Sequence, residues 1–147
     1  METQEKPRLT TTAKVLGAIL VVYVLNDLLL TPLGMIETRP IAEVTTLGLV
    51  TLALLFVGLA VVVVAIVLLL RRSRSAPMVA IVGLILFFPA FAADQTGHFS
   101  SLPPPTGIVY VEIFQVVVAL IGLTLAIRVF QENGGGTPAR SRGRGRS

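Results

Sequence analysis

Asn26 and Asp27 sit next to each other inside an apolar run, "VVYVLNDLLLTPLG", from Val21 to Gly34. A carboxylate in such a run can be satisfied in three ways: by a proton, by a cation, or by a basic partner. An ionised acid at the centre of a membrane helix costs about 2.5 to 3.5 kcal/mol on insertion scales, which marks Asp27 as a functional candidate by default. Two further stretches hold groups of the same kind. "DQTGHFSS" supplies Asp94 and His98, and "VEIFQ" supplies Glu112 and Gln115. Arg39 and His98 are the bases nearest to these acids along the chain. The candidate polar cluster is therefore Asn26, Asp27, Arg39, Asp94, His98, Glu112 and Gln115. An Asp27–Arg39 or Glu112–Arg39 pair would be purely structural. His98 is four residues after Asp94, and with the carboxylates it could make an oxygen-rich cation site.

The elements that carry these residues follow from hydropathy. The chain has 147 residues, 54% of them hydrophobic and only 14% charged, far from the balance of a soluble domain. Four apolar segments, 15–33, 46–70, 77–93 and 108–129, are each about the length that crosses a hydrocarbon core. Lipid has no partner for backbone N–H and C=O groups, so each segment must satisfy its own as a helix. The expected fold is all-α, an integral membrane four-helix bundle over 15–130 with a short segment, 1–14, before it. Asp27 lies about 20 Å along the helix axis from Lys14, somewhat beyond the midplane. If the first helix instead ends near Leu30, as Thr31 and Pro32 permit, Asp27 becomes an interfacial residue. The first segment is too long for the core of a signal peptide and lacks a small-x-small cleavage pattern after it, so it reads as an uncleaved helix.

Charge sets the expected orientation, because Lys and Arg on short connections stay cytoplasmic. All of the twelve basic residues except Arg39 fall before the first segment, in the "RRSR" turn at 71–74, or from Arg128 onward. Both termini are then cytoplasmic, with Asp27, Asp94 and Glu112 toward the outer end. The tail from 131 to 147 is rich in Gly and Arg and reads as disordered. Its arginines suit an anionic lipid surface. It lacks the interleaved aromatics of RNA-binding arms, so nucleic acid is not an expected partner. Ten arginines against two lysines, with abundant Gly, Ala and Pro, suit a bacterial plasma-membrane protein from a GC-rich genome.

Helices pack in lipid through small and hydrogen-bonding residues. Stripes at spacings of three and four run through Gly17, Asp27, Thr31 and Gly34; Gly48, Thr51, Gly58 and Ala65; Ala80, Gly83, Ala90 and Asp94; and Glu112, Gln115, Ala119, Gly122 and Ala126. They predict that Asp27 faces Gln115 or Glu112 across the bundle. Pro89 predicts a kink late in the third helix. "LPPP" at 102–105 predicts a stiff entry to the fourth, with the outer loop folded over the bundle mouth.

There is no cysteine, hence no thiolate nucleophile, disulfide or Cys metal site. No nucleophile elbow, phosphate loop, zinc motif or dinucleotide turn is present. Enzyme is the weakest class and no cofactor is expected. In size and helix count, with Asp27 in its first helix, the chain resembles the small multidrug exporters. That likeness of architecture implies exchange of protons for cationic drugs at the acid of helix one; here the acid comes late in the helix and the charge bias is strong. The leading expectation is an accessory or interaction protein whose polar cluster meets a membrane-protein partner or a second copy of the chain. The alternative is a proton- or cation-coupled carrier using Asp27 and Glu112.

Overall fold

A computed structural model describes residues 9–38, 40–104 and 106–134, with the helical backbone alone for 30–38. It comprises α1 (Thr11–Thr38), a 3₁₀ turn (Ile41–Glu43), α2 (Thr46–Leu70), α3 (Ala76–Ile85), α4 (Phe88–Gln95) and α5 (Thr106–Gly134). Among the described residues there is no strand, only an isolated bridge between Val44 and Ser100. Counting α3 and α4 as one span, four helices are long and apolar enough to cross a membrane. Between 28% and 44% of each span is buried inside the bundle, so most of each apolar surface faces outward. This suggests a multi-pass membrane protein.

Local chemistry sets the helix ends. The Thr10 hydroxyl accepts from the Ala13 N–H at 3.2 Å, and the Thr45 hydroxyl accepts from Gly48 N–H at 2.9 Å. Each satisfies a donor that the first helical turn leaves unpaired. The α2 C-terminus closes with Arg72 N–H to Leu69 O and Ser73 N–H to Leu68 O, both 2.9 Å. That is the pattern of a left-handed C-terminal cap, and it holds Arg72 at φ 58°, where glycine is usual. Pro77 opens α3 at a position where its missing N–H does no harm. The third span breaks at Leu86–Phe87, just ahead of Pro89, which cannot donate to the carbonyl of Ile85. Helix α1 runs past Pro32 to Thr38, which removes the reading of an early end near Leu30. Helix α5 continues through 131–134, a turn beyond the boundary expected from composition; the rest of the tail lies outside the described residues.

The helices close a ring in which α1 packs on α5 and α2, and α3 packs on α2 and α5, with α4 also against α2. Its interior mixes leucine and valine with alanine and glycine on α2, α3 and α5. Gly48, Gly58 and Ala65 on α2, Ala80 and Gly83 on α3, and Ala119, Gly122 and Ala126 on α5 are all buried. On α1 the packing face is different from the expected stripe. Ala13, Leu16, Leu20, Tyr23 and Asp27 are buried at spacings of three and four. Gly17 is only half-buried, and a Cβ placed on it would touch nothing within 4 Å. Large side chains on α1 fill the space that the small residues of its neighbours leave.

At the loop end, 40–45 and 96–102 join. Thr45 N–H donates to Phe99 O at 3.0 Å and Ser101 N–H to Glu43 O at 3.1 Å. Phe99 packs with Val44 and Ala93, and its carbonyl lies where a Cβ on Gly48 would stand, 2.2 Å away. At the opposite, terminal end, Glu132 accepts from the Thr10 hydroxyl at 3.1 Å and the Thr12 hydroxyl at 2.8 Å. These two bonds tie the last turns of α5 to the first turn of α1.

Helices α2 and α3 cross with their backbones in close approach. A Cβ on Gly83 would stand 2.9 Å from Val62 N and 3.0 Å from Gly58 O, and one on Gly58 would stand 2.8 Å from Gly83 O. Backbone cannot retreat as a side chain can, so Gly83→Ala should lose about 1 to 3 kcal/mol by overpacking. Gly17→Ala should lose nothing. Reversible unfolding in mixed micelles reads both; equal stability of the two variants would mean that α2 and α3 do not approach as described.

Candidate functional site

Tyr23, Asn26 and Asp27 occupy one face of α1, since residues three and four apart are neighbours on a helix. Opposite them α5 presents Gln115. The Asn26 side-chain amide donates to Gln115 Oε1, and Gln115 Nε2 donates to the Tyr23 carbonyl at 3.2 Å. One glutamine side chain thus bridges a side chain and the backbone of the facing helix, and it is only 2% exposed. This arrangement comes from geometry set elsewhere. Ala119 and Gly122, one and two turns further along α5, are buried and let the two helices approach closely enough for a short amide to reach across.

Asp27 is 7% exposed, while Leu25 and Leu29 on other faces of the same helix are 53% and 64% exposed. The acid therefore faces the bundle interior. Its carboxyl lies beside the Tyr23 hydroxyl and the Gln115 amide. Asp27 Oδ2 and Tyr23 Oη are both enclosed, and among the described residues neither makes a hydrogen bond. The Tyr23 ring stands edge-on to Phe87, centroids 6.2 Å apart at 86°. Phe87 lies at the break between α3 and α4 and also meets Phe88 and Phe91. The polar group is thus walled on one side by an aromatic cluster at the discontinuity in the third span.

The remaining candidates lie apart from this group. Glu112 accepts from Gln95 Nε2 at 2.8 Å, joining α5 to the end of α4 and not to Asp27. Asp94 is buried at the end of α4. His98 is exposed, with Nδ1 3.0 Å from the Thr96 hydroxyl, and does not close over Asp27. Arg39 lies outside the described residues, as do the side chains of Thr31 and Gly34. Six of the seven residues that the sequence groups together thus divide into an interior set, Asn26, Asp27 and Gln115, and a loop-end set, Asp94, His98 and Glu112. Among the described residues no group of three or more His, Cys, Asp or Glu side chains is placed to hold a metal ion.

Sequence reasoning missed Tyr23, Gln95 and Glu132. Tyr23 could have been found, because it lies one turn before Asp27 on the same face and a buried tyrosine hydroxyl seeks a polar neighbour. Gln95 and Glu132 lie at helix ends, where composition has no periodic signal. Thr51 is buried as well, but its hydroxyl donates back to Leu47 O and Gly48 O at 3.0 Å and needs nothing from another helix.

The two enclosed oxygens lead to opposite expectations for three substitutions. Tyr23→Phe keeps the ring against Phe87 and removes a hydroxyl without a bond, so stability should stay level or rise by up to about 1 kcal/mol. Asp27→Asn should also be tolerated, because an amide keeps hydrogen-bonding capacity without the charge. Asp27→Leu should lose about 1 to 3 kcal/mol, since a larger branched side chain overpacks the enclosed space beside Gln115. Micelle unfolding of all three checks this, and a Tyr23→Phe variant as damaged as Asp27→Leu would show that the hydroxyl is bonded.

Similarity to known proteins adds a family and no activity. No curated protein and no solved structure matches the chain. A family model described as a domain of unknown function (DUF8051) matches residues 12–142, a stretch that takes in all four spans and the polar group between α1 and α5. The chain belongs to that family.

Proposed function

We propose that this chain is a multi-pass accessory or interaction protein of the bacterial plasma membrane, with both termini cytoplasmic and the loop end facing out. The orientation follows from the basic residues: Lys14, the "RRSR" turn and Arg128 all belong to the terminal end. The reading of role rests on Gln115. Its amide bonds to α1 from both of its polar atoms, so the interior polar group joins two helices in a closed interface. The loop end presents exposed Glu43, Gln95, Thr96, His98 and Ser101, a polar surface suited to a partner subunit or a second copy. The bilayer and anionic lipid at the Arg-rich segments are the other partners of this reading.

A second reading, a proton- or cation-coupled carrier, draws on one observation. Asp27 Oδ2 and Tyr23 Oη are enclosed without a bond beside the break in the third span, and ionisable groups facing a bundle interior commonly belong to proton or ion pathways.

Reconstitution separates the two. With an internal pH-sensitive dye and an imposed gradient, the accessory reading expects no flux above empty vesicles. Proton or cation flux that disappears in Asp27→Asn would replace it with the carrier. Orientation is read independently: reporter fusions after Glu132 and within 71–75 should report cytoplasm, and fusions at Ser101 the outside. A periplasmic signal from the fusion after Glu132 would invert the whole assignment.

A further inference from the structure

At the terminal end of the bundle, α1, α5 and the turn between α2 and α3 surround a hollow of about 120 Å³. A single water needs about 10–15 Å³ on this measure, so the space takes a group of several heavy atoms. Its wall has two characters. Leu69 and Val129 line one part, and Thr10, Arg72, Ser73 and Asn133 line another. It lies where the spans end, at the depth of lipid headgroups if the chain crosses a bilayer.

Arg72 is the residue on this wall that a fold alone would not choose. It occupies the left-handed position that ends α2, at φ 58°, where glycine has no Cβ to strain. A cation is thereby held at the rim of the hollow at the expense of backbone comfort. Strain identifies no ligand, but charge does. Arg71 and Arg74 flank Arg72 in the turn, and Lys14 and Arg128 each follow or precede a lining residue by one position; all are exposed. Among the described residues of this end, Glu132 accepts from the Thr10 and Thr12 hydroxyls. The guanidinium fork matches phosphate oxygens, and hydroxyl and amide donors stand on the same wall. The apolar part continues onto the outward surface of α2, where Leu70 is exposed and an acyl chain can lie.

We propose that this hollow holds the phosphate of an anionic membrane phospholipid, gripped by Arg72 with Ser73 and Asn133. The proposal rests on the reading above that this end meets the anionic cytoplasmic leaflet.

The full-length protein, extracted from vesicles of phosphatidylcholine containing or lacking phosphatidylglycerol, tests it by native mass spectrometry of retained lipid. Retention of phosphatidylglycerol over phosphatidylcholine is expected in the wild type. Arg72→Gly should weaken that retention about fivefold, the effect of one basic residue at an anionic surface, while the melting temperature holds or rises because glycine suits the backbone. Arg72→Lys should fall between, keeping charge without the fork. Arg74→Gln, an equal loss of charge off the wall, should retain lipid as the wild type does. The proposal fails if Arg74→Gln loses as much as Arg72→Gly, which would show diffuse attraction only. It fails equally if the wild type shows no preference between the two lipids, or if millimolar inorganic phosphate displaces the lipid, making the hollow a site for a free anion. The reporter fusions read orientation separately, so an inverted topology and an empty hollow give different results.

Discussion

Hydrocarbon offers no hydrogen bond, and much of this structure follows from that constraint. Every backbone group in the spans must be satisfied within its own helix, and polar side chains turn away from the outer surface toward the bundle interior. Asn26, Asp27 and Gln115 therefore face inward while Leu25, Leu29 and Tyr110 face outward, the reverse of a water-soluble helix bundle. Burial of apolar area cannot drive helix against helix when the surroundings are equally apolar. Close contact takes its place, and it is supplied where Gly58 and Gly83 let α2 and α3 cross backbone to backbone.

The two ends of the bundle are secured differently from the middle. At the loop end, main-chain bonds between 43–45 and 99–101 and the docking of Phe99 over α2 make a short folded cover. At the terminal end, the Glu132 carboxylate clasps Thr10 and Thr12 at the start of α1. Between them, the Gln115 amide couples α1 to α5 at the level where the third span is broken and where Phe87 meets Tyr23. Polar coupling and helix discontinuity coincide there, so packing and hydrogen bonding depend on the same few side chains.

Much of this was legible in the residues. Four apolar runs of membrane length become four helical stretches long and apolar enough to cross a membrane, because hydropathy and length carry that signal directly. The small-residue stripes of α2, α3 and α5 are buried, since only small side chains allow the approach that replaces the hydrophobic drive. Pro89 marks the break in the third span for a covalent reason that no context can undo. The stripe of α1 was misread. A Cβ on Gly17 would meet nothing within 4 Å, and the packing there is done by Leu16, Leu20 and Tyr23, all fully buried. The spacing of the polar candidates along the chain groups them, but distance around the bundle is invisible to periodicity. Glu112 and Gln115 are neighbours on α5, yet one reaches α4 and the other α1. Function stays coarse for a related reason: a bilayer dictates where polar groups may sit, and many roles are compatible with the same placement.

The central claim is that Asn26 and Gln115 form a direct bond that holds α1 to α5. A double-mutant cycle with Asn26→Ala and Gln115→Ala, read by reversible unfolding in mixed micelles, measures it apart from packing changes. A coupling of about 0.6 kcal/mol, and up to about 1.7, is expected for a hydrogen bond between membrane helices. Strictly additive losses from the two substitutions would contradict the account, because the amides would then be buried side by side without bonding.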